Sequence, residues 1–299
     1  MSRLGVIILS YNTKKLTLEC IESIKESAPN LSYEIILVDN ASTDQTIREV
    51  TKKYPDVNIV KSRSNLGFSG GNNLALKKYL KEFDYFLLLN SDTLVKPDSL
   101  EKLVKKAKDK GYSILSPKLI NPDGSLQPNA GNLPKPFPLF IWLSGLDDIF
   151  RKVIYLPSYQ ERNVSKYYGT KEVGWVSGTA MLIDKSLLKK VGYLDEKIFM
   201  YGEDVDYCWR AQEKGECVGW TDESKIIHLG GASSTNPKYS QWIGEFRGIL
   251  YLYKKYYGPF ATGILKVMIY TFVCIRVLAF FIVGKVGHSK AYAKILKDI

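Results

Sequence analysis

Histidine and cysteine are scarce in this chain of 299 residues. There are two histidines, and the four cysteines (Cys20, Cys208, Cys217 and Cys274) show no C-x-x-C spacing. Zinc sites need clusters of such side chains at short spacing, so the sequence argues against one. No cleavable signal precedes the cysteines, and we expect reduced thiols in a cytosolic compartment.

The glycine-rich turn of a dinucleotide site is missing from its usual place. A G-x-G-x-x-G turn belongs directly after the first strand, but the first apolar run ends in Ser10, Tyr11 and Asn12. A G-x-x-G-G stretch follows the third run instead. This order argues against an NAD-dependent oxidoreductase and against a nucleotidyltransferase that makes activated sugars. The chain also offers no Ser-His-Asp or Cys-His arrangement for covalent catalysis.

The net charge of +11 is concentrated at one end of the chain. Residues 247–299 contain nine Lys and Arg and one acid, Asp298, whereas residues 1–246 contain 33 bases and 30 acids. The basic residues of the tail flank an apolar run, which favours an anionic membrane surface over nucleic acid.

Strand-length apolar runs alternate with amphipathic segments from Gly5 to about Ser116. The runs GVIILSY, EIILVD, VNIVKS and YFLLLN are continuously apolar. Such runs are typical of a sheet that helices cover on both faces. The sequence therefore predicts a doubly wound α/β fold.

Two of these runs end in acidic or amide side chains. Asp39 ends the second run, and Asn90, Ser91 and Asp92 end the fourth. Because ligands of such folds bind beyond the carboxyl ends of the strands, we expect these side chains to line a nucleotide and metal site. Helix capping is the competing interpretation: Ser42 or Thr43 could cap the next helix, and Asp44 suits the positive end of its dipole, but capping does not explain Asp39.

The segment from Asn65 to Asn73, NLGFSGGNN, combines three glycines with several amides just before a predicted helix. Glycines allow a close approach of the backbone to a phosphate or a sugar. On this segment alone, a flexible turn explains the composition equally well.

Residues 117–171 lack regular periodicity and contain a proline-rich stretch. Long irregular segments in compact domains are often functional, so this one is a candidate acceptor-binding region. A helix is predicted to begin at Glu203 or Asp204 and to run to about Lys214. Acids in a first helical turn are commonplace, but the preceding Gly202 suggests the edge of a cleft.

The stretch from Gly263 to Gly284 is strongly apolar and is interrupted by Lys266 and Arg276. Its length is close to the roughly 20 residues of a membrane-spanning helix. A central arginine opposes insertion, and an interfacial helix on the cytosolic leaflet, or one packed on a partner, fits as well. The sequence leaves spanning and lying flat about equally open, and a core helix of a soluble protein fits less well than either.

Taken in order, five motifs resemble the inverting family-2 glycosyltransferases with a GT-A fold. They are SYN, VDNASTD, NLGFSGGNN, LLLNSD, and FMYGEDVDYCWR followed by HLGG. The similarity covers roughly residues 4–246 and is greatest to rhamnosyltransferases and galactofuranosyltransferases of bacterial cell-surface polysaccharide synthesis. It implies a Rossmann-like mixed α/β sheet flanked by helices, followed here by an apolar helical tail.

The resemblance implies a role for each matching residue. Asp204 would be the general base with Glu203 as its neighbour, and Asp92 and His228 would hold Mg²⁺ or Mn²⁺. Asn90 stands where the family's metal motif has an acid, and an amide oxygen carries no charge. The nucleotide sugar would contact Tyr11, Asn12, Asp39, Asn65, Gly67, Gly71, Asn72, Asn90 and Ser91. Trp175, Gly178 and Tyr201 would line the pocket for the sugar and the acceptor.

We therefore predict a glycosyltransferase domain over residues 1–246, with a nucleotide-sugar half at 1–116 and an acceptor half at 117–246. Residues 247–299 would associate with the cytoplasmic face of the membrane. The favoured reaction moves rhamnose from dTDP-rhamnose to a glycan or lipid-linked glycan. The alternatives are a transferase of UDP-galactofuranose, UDP-glucose or a UDP-N-acetylhexosamine, and a non-catalytic nucleotide-sugar-binding partner of an assembly. The sequence leaves a homo-oligomer open and indicates no nucleic-acid partner.

Overall fold

A computed structural model describes residues 2–27, 30–150, 152–230 and 239–299. The chain divides into two compact units. The first contains residues 1–133, 160–199 and 203–230, and the second contains residues 134–159, 200–202 and 231–299. Residues 134–159 thus group with the C-terminal helices.

The strands of the first unit form one large mixed sheet and a small separate pair. They are β1 (Arg3–Ser10), β2 (Ser32–Asp39), β3 (Asn58–Lys61), β4 (Tyr85–Asn90), β5 (Thr93–Val95), β6 (Ile114–Ile120), β7 (Leu126–Gln127), β8 (Ala130–Gly131), β9 (Thr170–Glu172), β10 (Trp175–Val176), β11 (Ala180–Asp184) and β12 (Val218–His228). The sheet order is β3-β2-β1-β4-β11-β6-β12-β5, with β7 on β6 and β9 on β12, while β8 pairs with β10.

Helices cover this sheet and make up most of the second unit. In the first unit they are α1 (Lys14–Ser27), α2 (Thr46–Lys53), α3 (Gly67–Tyr79), α4 (Ser99–Lys110), a 3₁₀ turn (Val164–Lys166), α7 (Lys185–Val191) and α8 (Glu203–Glu213). In the second unit they are α5 (Pro136–Ser144), α6 (Leu146–Phe150), α9 (Tyr239–Ile282) and α10 (Val286–Asp298).

The predicted α/β fold is confirmed, and the order of its first four strands and helices follows the sequence pattern. Strands β3, β2, β1 and β4 are parallel neighbours. Their apolar side chains are buried on both faces, as the successive residues Ile7 and Ile8, which point to opposite faces, illustrate with no exposed surface. Strand β11 then pairs antiparallel with both β4 and β6, which makes the sheet mixed.

Two local expectations were wrong. The glycines of NLGFSGGNN do not precede a helix, because α3 begins at Gly67 and includes them. Residues 117–171 are not irregular throughout, because they contain β7, β8, α5 and α6.

The second unit is built around α9, which changes direction at Gly258. Gly258 has a φ of 80° and precedes Pro259. The chain can reverse here because glycine tolerates a positive φ and proline lacks the N–H that a continuous helix would need. Trp242 and Phe280 both stack on Tyr292 of α10, at ring distances of 4.6 and 5.6 Å. Of the described helices, α9 alone is long and apolar enough to cross a membrane.

Candidate active site

The predicted strand-end residues lie at one edge of the sheet. Ser10 at the end of β1 pairs with Asp39 at the end of β2, and Leu9 pairs with Asn90 at the end of β4. Neighbouring strands are about 4.8 Å apart, so two strand spacings, about 10 Å, separate the backbones of Asp39 and Asn90. The parallel register therefore places the ends of both strands at the carboxyl edge of the sheet.

Asp39 is a buried carboxylate with one unmatched oxygen. The side chain is 4% exposed, and its Oδ2 accepts a hydrogen bond from the Ser42 N–H at 3.2 Å. Its Oδ1 has no hydrogen-bond partner among the described residues. Because a buried charge without a partner is costly, Oδ1 is suited to accept a hydrogen bond from a ligand.

Asp44, and not the expected Ser42 or Thr43, provides the side-chain contact at the start of α2. Its carboxylate accepts hydrogen bonds from the backbone of Lys14 and Thr46, at the starts of α1 and α2. Burial opposes ionisation of Asp44, but these hydrogen bonds and that of the Thr46 hydroxyl together lower its pKa. The capping interpretation thus holds for Asp44 and leaves Asp39 unexplained.

Tyr11 and Asn12 follow β1 on the same edge. The Tyr11 ring is 48% exposed. The Asn12 side chain instead accepts a hydrogen bond from the Thr43 N–H at 2.7 Å, and the Asn12 N–H donates to the Ser42 hydroxyl at 3.0 Å. Asn12 therefore fastens the loop after β1 to the loop after β2, and Tyr11 remains accessible.

The NLG turn is organised by an asparagine that the sequence analysis did not single out. Buried Asn40 donates to the Asn65 side chain at 2.9 Å and to the Gly67 carbonyl, and it accepts from the Leu66 N–H. Asn65 also accepts a hydrogen bond from the Gly67 N–H. Asn40 directly follows Asp39, so the same strand end supports both the acid and the turn.

The glycines of α3 serve close packing. A Cβ on Gly67 would lie 2.2 Å from the Phe199 carbonyl oxygen, and one on Gly71 would lie 2.4 Å from the Leu9 side chain. The Phe68 N–H, in the first turn of α3, already donates to the Phe199 carbonyl. Asn72 is buried further along the helix, and its Oδ1 has no partner among the described residues.

Asp92 and His228 approach each other beyond β4. The His228 Nε2 lies 3.3 Å from Asp92 Oδ1, and both side chains are less than a fifth exposed. Strand β12 sets this contact because His228 pairs with Thr93 of β5. Ser91, between Asn90 and Asp92, uses its hydroxyl in a hydrogen bond with Thr13.

Gln127 holds the other nitrogen of the His228 ring. The His228 Nδ1 lies 2.6 Å from Gln127 Oε1, and the Gln127 amide donates to Asn121 Oδ1 at 3.2 Å. Because the Gln127 oxygen can only accept, this contact needs a proton on Nδ1, and a neutral ring with that proton would offer Nε2 to a metal beside Asp92. This tautomer is the one that binds a metal through Nε2.

The pair of Asp92 and His228 fits a divalent cation held jointly with a ligand. Within the described ranges, no three or more His, Cys, Asp or Glu side chains are grouped so as to hold a metal ion. Mg²⁺ and Mn²⁺ commonly take one or two protein ligands together with substrate phosphates and water. An acid and an oriented imidazole suit that arrangement better than a site made wholly of protein groups.

Asp204 is held at the start of α8 by two backbone groups. Its Oδ2 accepts a hydrogen bond from the Gly178 N–H at 3.0 Å, and its Oδ1 accepts from the Val205 N–H at 2.8 Å. Asp204 is partly exposed, whereas Glu203 is buried. Of the two acids, Asp204 is the one that solvent and substrate can reach.

Contacts along the backbone link Asp204 to the Asn90–Asp92 segment. Gly178 precedes Thr179, whose carbonyl accepts the Asn90 N–H at 2.9 Å. A Cβ on Gly178 would meet the Phe68 ring at 2.8 Å, so this turn packs directly on α3. Trp175 is buried on β10, three residues earlier. The structure therefore brings most of the predicted site residues to one side of the first unit.

The rest of the acidic motif of α8 is structural. Asp206 is fully buried and pairs with Arg210 at 2.8 Å, and Arg210 also donates to the carbonyls of Val191 and Tyr193. Burial raises the pKa of the Cys208 thiol on the same helix. Cys208 is thus not a nucleophile.

Tyr201 belongs to the second unit and packs on α9. A Cβ on Gly244 would lie 2.3 Å from the Tyr201 ring, and one on Gly248 would lie 2.2 Å from the Tyr201 carbonyl oxygen. Tyr201 has a φ of 70° and Gly202 a φ of 107°. These two glycines of α9 therefore accommodate the strained turn that directly precedes α8.

The doubly wound mixed sheet, with acids at its carboxyl edge, is a GT-A fold. The chain belongs to the glycosyl transferase family 2, whose sequence profile matches residues 5–192. The expected family and fold are thereby confirmed.

Two curated relatives are similar over most of the chain. The low-salt glycan biosynthesis hexosyltransferase Agl10 of Haloferax volcanii is 28% identical over 229 residues, which cover 75% of this chain and 66% of the relative. The N-acetylglucosaminyl-diphospho-decaprenol L-rhamnosyltransferase of Mycobacterium tuberculosis is 27% identical over 65% of this chain and 66% of the relative. The alignments thus span about two thirds of the length of these relatives.

Among solved structures, the mannosyltransferase PcManGT of Pyrobaculum calidifontis in complex with GDP-Man and Mn²⁺ has a similar fold. The TM-score is 0.57 at 18% identity, over 99% of this chain and 74% of that one. At this identity the likeness establishes the fold.

Proposed function

We propose that this glycosyltransferase moves L-rhamnose from dTDP-rhamnose to a lipid-linked glycan with inversion at the anomeric carbon. The proposal is supported by three acids in three different environments, two of them at or just beyond the carboxyl ends of β2 and β4. Asp39 has an unmatched buried oxygen, Asp92 faces an oriented imidazole, and Asp204 is accessible and held by backbone groups. The environment of Asp39 suits a contact with the nucleotide base, and that of Asp92 suits a diphosphate site. The environment of Asp204 suits a general base.

The donor nucleotide is expected to lie across the ends of β2, β1 and β4. Oδ1 of Asp39 would accept the N3–H of thymine or uracil, and the exposed Tyr11 ring would lie beside the base. Asn65, Gly67, Gly71 and Asn72 would shape this side of the pocket through the packing of the NLG turn. Asn90 and Ser91 would lie towards the diphosphate.

Asp92 and His228 would hold Mg²⁺ or Mn²⁺ together with the donor diphosphate. Bound there, a divalent cation supplies positive charge that stabilises the departing nucleoside diphosphate. Gln127 would keep Nε2 of His228 unprotonated and directed at the site. Asn90 adds a neutral oxygen where related sites have an acid, so Asp92 would provide most of the protein's negative charge.

The reaction would be a single displacement. The Asp204 carboxylate takes the proton of the acceptor hydroxyl while that oxygen attacks the anomeric carbon. The bond from this carbon to the diphosphate oxygen breaks, and the nucleoside diphosphate leaves. Buried Glu203 would stay beside the base, and Trp175 and Gly178 would border the sugar, with Tyr201 in the turn before α8.

The choice of rhamnose and of a lipid-linked acceptor rests on the name of the mycobacterial relative. The haloarchaeal relative is a hexosyltransferase, and transfer of galactofuranose, glucose or N-acetylhexosamine from UDP is the second candidate. A non-catalytic role in an assembly is disfavoured by the accessible, oriented carboxylate of Asp204, which a binding module has no need to keep.

We also propose that residues 247–299 associate with the cytoplasmic face of the cell membrane. The exposed apolar surface of α9 and the excess of basic residues in the tail support this location. An enzyme on the membrane surface would meet its lipid-linked acceptor in two dimensions.

The test is a transfer assay with the full-length protein and short-chain polyprenyl diphosphate acceptors that carry N-acetylglucosamine. Each of dTDP-rhamnose, UDP-galactofuranose, UDP-glucose and UDP-N-acetylglucosamine is supplied with Mn²⁺, and the product is analysed by mass spectrometry and by NMR of the anomeric configuration. We expect an inverted rhamnosyl product. Turnover of a UDP-sugar alone would replace the donor assignment, and retention of configuration would contradict the displacement.

A further inference from the structure

The second half of α9, residues 259–282, exposes a continuous apolar surface. It is formed by Phe260, Ile264, Val267, Ile275, Leu278 and Phe281, and we name it the outer face. All six side chains are exposed, Phe260 to 83% and Phe281 to 66%. At about 100° per residue, the six positions fall within about 60° of a single direction on the helix. Exposed large apolar side chains so aligned mark an interaction surface.

The opposite side of the same helix is packed against protein. Three side chains are buried there, each with at most 1% of its surface exposed: Leu265, Ile269 and Val273. The Ser289 hydroxyl of α10 donates to the Val277 carbonyl at 2.9 Å. The exposure of the outer face is therefore not that of an isolated helix, because the other face already has its partner.

Both charges of this segment are directed at protein groups. Arg276 donates to the Leu143 carbonyl at 2.8 Å, in the last turn of α5, and its guanidinium lies 5.8 Å from the Tyr292 ring. Lys266 donates to the carbonyl of Ile299 at 3.2 Å. The central arginine that opposed membrane insertion in the sequence thus points away from the outer face, which carries no charged side chain.

The neighbouring helix α10 decides between the two membrane orientations. Lys290, Lys294 and Lys297 are exposed on α10, which packs alongside α9. Residues 259–282 are about 36 Å long and could cross a bilayer core of about 30 Å. A crossing would, however, draw α10 and its three exposed lysines into the hydrocarbon, where ammonium groups are strongly disfavoured.

We propose that the outer face lies in the headgroup region of an anionic phospholipid membrane, with α9 parallel to the surface and without crossing it. The occupant is lipid because an uncharged apolar face beside exposed lysines matches a membrane with an apolar interior and anionic headgroups. The inference rests on the proposed membrane association. It is independent of which sugar is transferred.

Cys274 provides a probe in the chain itself. It is exposed on the outer face between Val267 and Leu278, whereas Cys20 and Cys208 are buried. In a Cys217→Ser background, an environment-sensitive fluorophore on Cys274 would report the depth of this face. Full-length protein is mixed with phosphatidylcholine vesicles that contain or lack phosphatidylglycerol. Lipids with a quencher near the headgroup or at the chain end then measure the depth.

We expect binding that is at least tenfold tighter with phosphatidylglycerol and that weakens in salt. Quenching should be stronger from the shallow position. The double variant Val267→Glu/Leu278→Glu should lose at least tenfold in vesicle affinity, whereas Val164→Glu/Tyr168→Glu, which alters exposed side chains of the first unit, should bind as the unmodified protein does. Both variants should keep transfer to a water-soluble acceptor, so a failure here is distinguishable from a failure of the enzymatic assignment.

Three results would overturn the proposal. Stronger quenching from the chain end, with the C-terminus accessible to protease only inside the vesicles, would mean that the helix spans. Equal binding of the outer-face variant would place the membrane contact elsewhere. A dimer in solution that Val267→Glu/Leu278→Glu dissociates, without vesicle binding, would make the occupant a second copy of this chain.

Discussion

The carboxylate of Asp204 is tied to the backbone of Gly178 by a hydrogen bond of 3.0 Å. Gly178 precedes the strand that pairs with β4, whose last residues lead to Asp92. The orientation of the proposed base is thus set by the same strand that stands next to the diphosphate site. Because the backbone N–H of Gly178 donates this hydrogen bond, the side-chain oxygen of an asparagine at position 204 can still accept it.

We expect Asp204→Asn to lower the rate of transfer about 10²–10⁴-fold, because an amide cannot take the proton of the acceptor hydroxyl. Binding of the nucleoside diphosphate, followed by calorimetry, should change little. Glu213→Gln at the exposed end of α8 is the matched control. If Asp204→Asn retains activity within a few-fold of the unmodified enzyme, another group is the base.

Asp39→Asn should weaken binding of dTDP and UDP. An amide can present an N–H where Oδ1 presented a lone pair, and hydrogen bonds to charged groups contribute about 1.5–3 kcal/mol, or about tenfold and more in affinity. Binding of inorganic pyrophosphate with Mn²⁺ should be unaffected, which separates base recognition from diphosphate recognition.

The melting temperature of the ligand-free Asp39→Asn protein should be no lower than that of the unmodified chain, because a buried charge without a full set of partners is removed. Asp56→Asn, which alters an exposed ion pair with Lys25, is the control. Unchanged dTDP affinity in Asp39→Asn would contradict the assigned contact.

Gln127→Leu should reduce the affinity for Mn²⁺ in the presence of dTDP by about 10–100-fold, as loss of a group that orients a metal ligand typically does. The cause is the loss of the acceptor that keeps the proton on Nδ1 of His228. Titration followed by electron paramagnetic resonance measures free Mn²⁺ directly.

Gln127→Glu retains an oxygen acceptor and should restore most of the Mn²⁺ affinity. A merely structural role of Gln127 predicts equal metal affinity in the leucine and glutamate variants and a loss of thermal stability in both. That pattern would remove Gln127 from the site.

Gly248 lies on α9, outside the sheet, and Gly248→Ala should nevertheless impair catalysis. The new Cβ would lie 2.2 Å from the Tyr201 carbonyl, and the backbone before α8 must move to relieve the clash. A displacement of about 1 Å at a catalytic group costs about 10²-fold in rate. We expect kcat to fall while the affinity for dTDP stays the same.

Gly263→Ala lies on the same helix and meets no atom within 4 Å. It should leave kcat unchanged and serves as the control for Gly248→Ala. Equal rates for the two variants would show that the turn at Tyr201 does not position α8.

The parts of the fold and site that depend on local pattern were predictable from the sequence. Continuous apolar runs predict buried parallel strands, and strand polarity places Asp39 and Asn90 on one edge whatever the loop lengths. The start of α8 at Glu203 was predictable because acidic side chains are favoured in the first turn of a helix.

Contacts between distant, short elements could not be predicted. Gln127 lies on the two-residue strand β7 and meets His228 across 101 positions. The sequence did not predict that α3 begins at Gly67, because glycine is a poor helix former. The close approach of Leu9 and Phe199 selects glycine there regardless of propensity. The helix α5 is apolar on all sides and so lacks the periodicity that identifies a helix.

Arg276 has a consequence for engineering. Its guanidinium donates to two carbonyls at the end of α5, about 130 positions earlier in the chain, in addition to its contact with the Tyr292 ring of α10. Residues 239–299 grafted onto a reporter protein would carry an arginine that lacks these two carbonyl acceptors. The tail is therefore not a portable membrane anchor, and a functional graft would have to bring residues 134–159 with it.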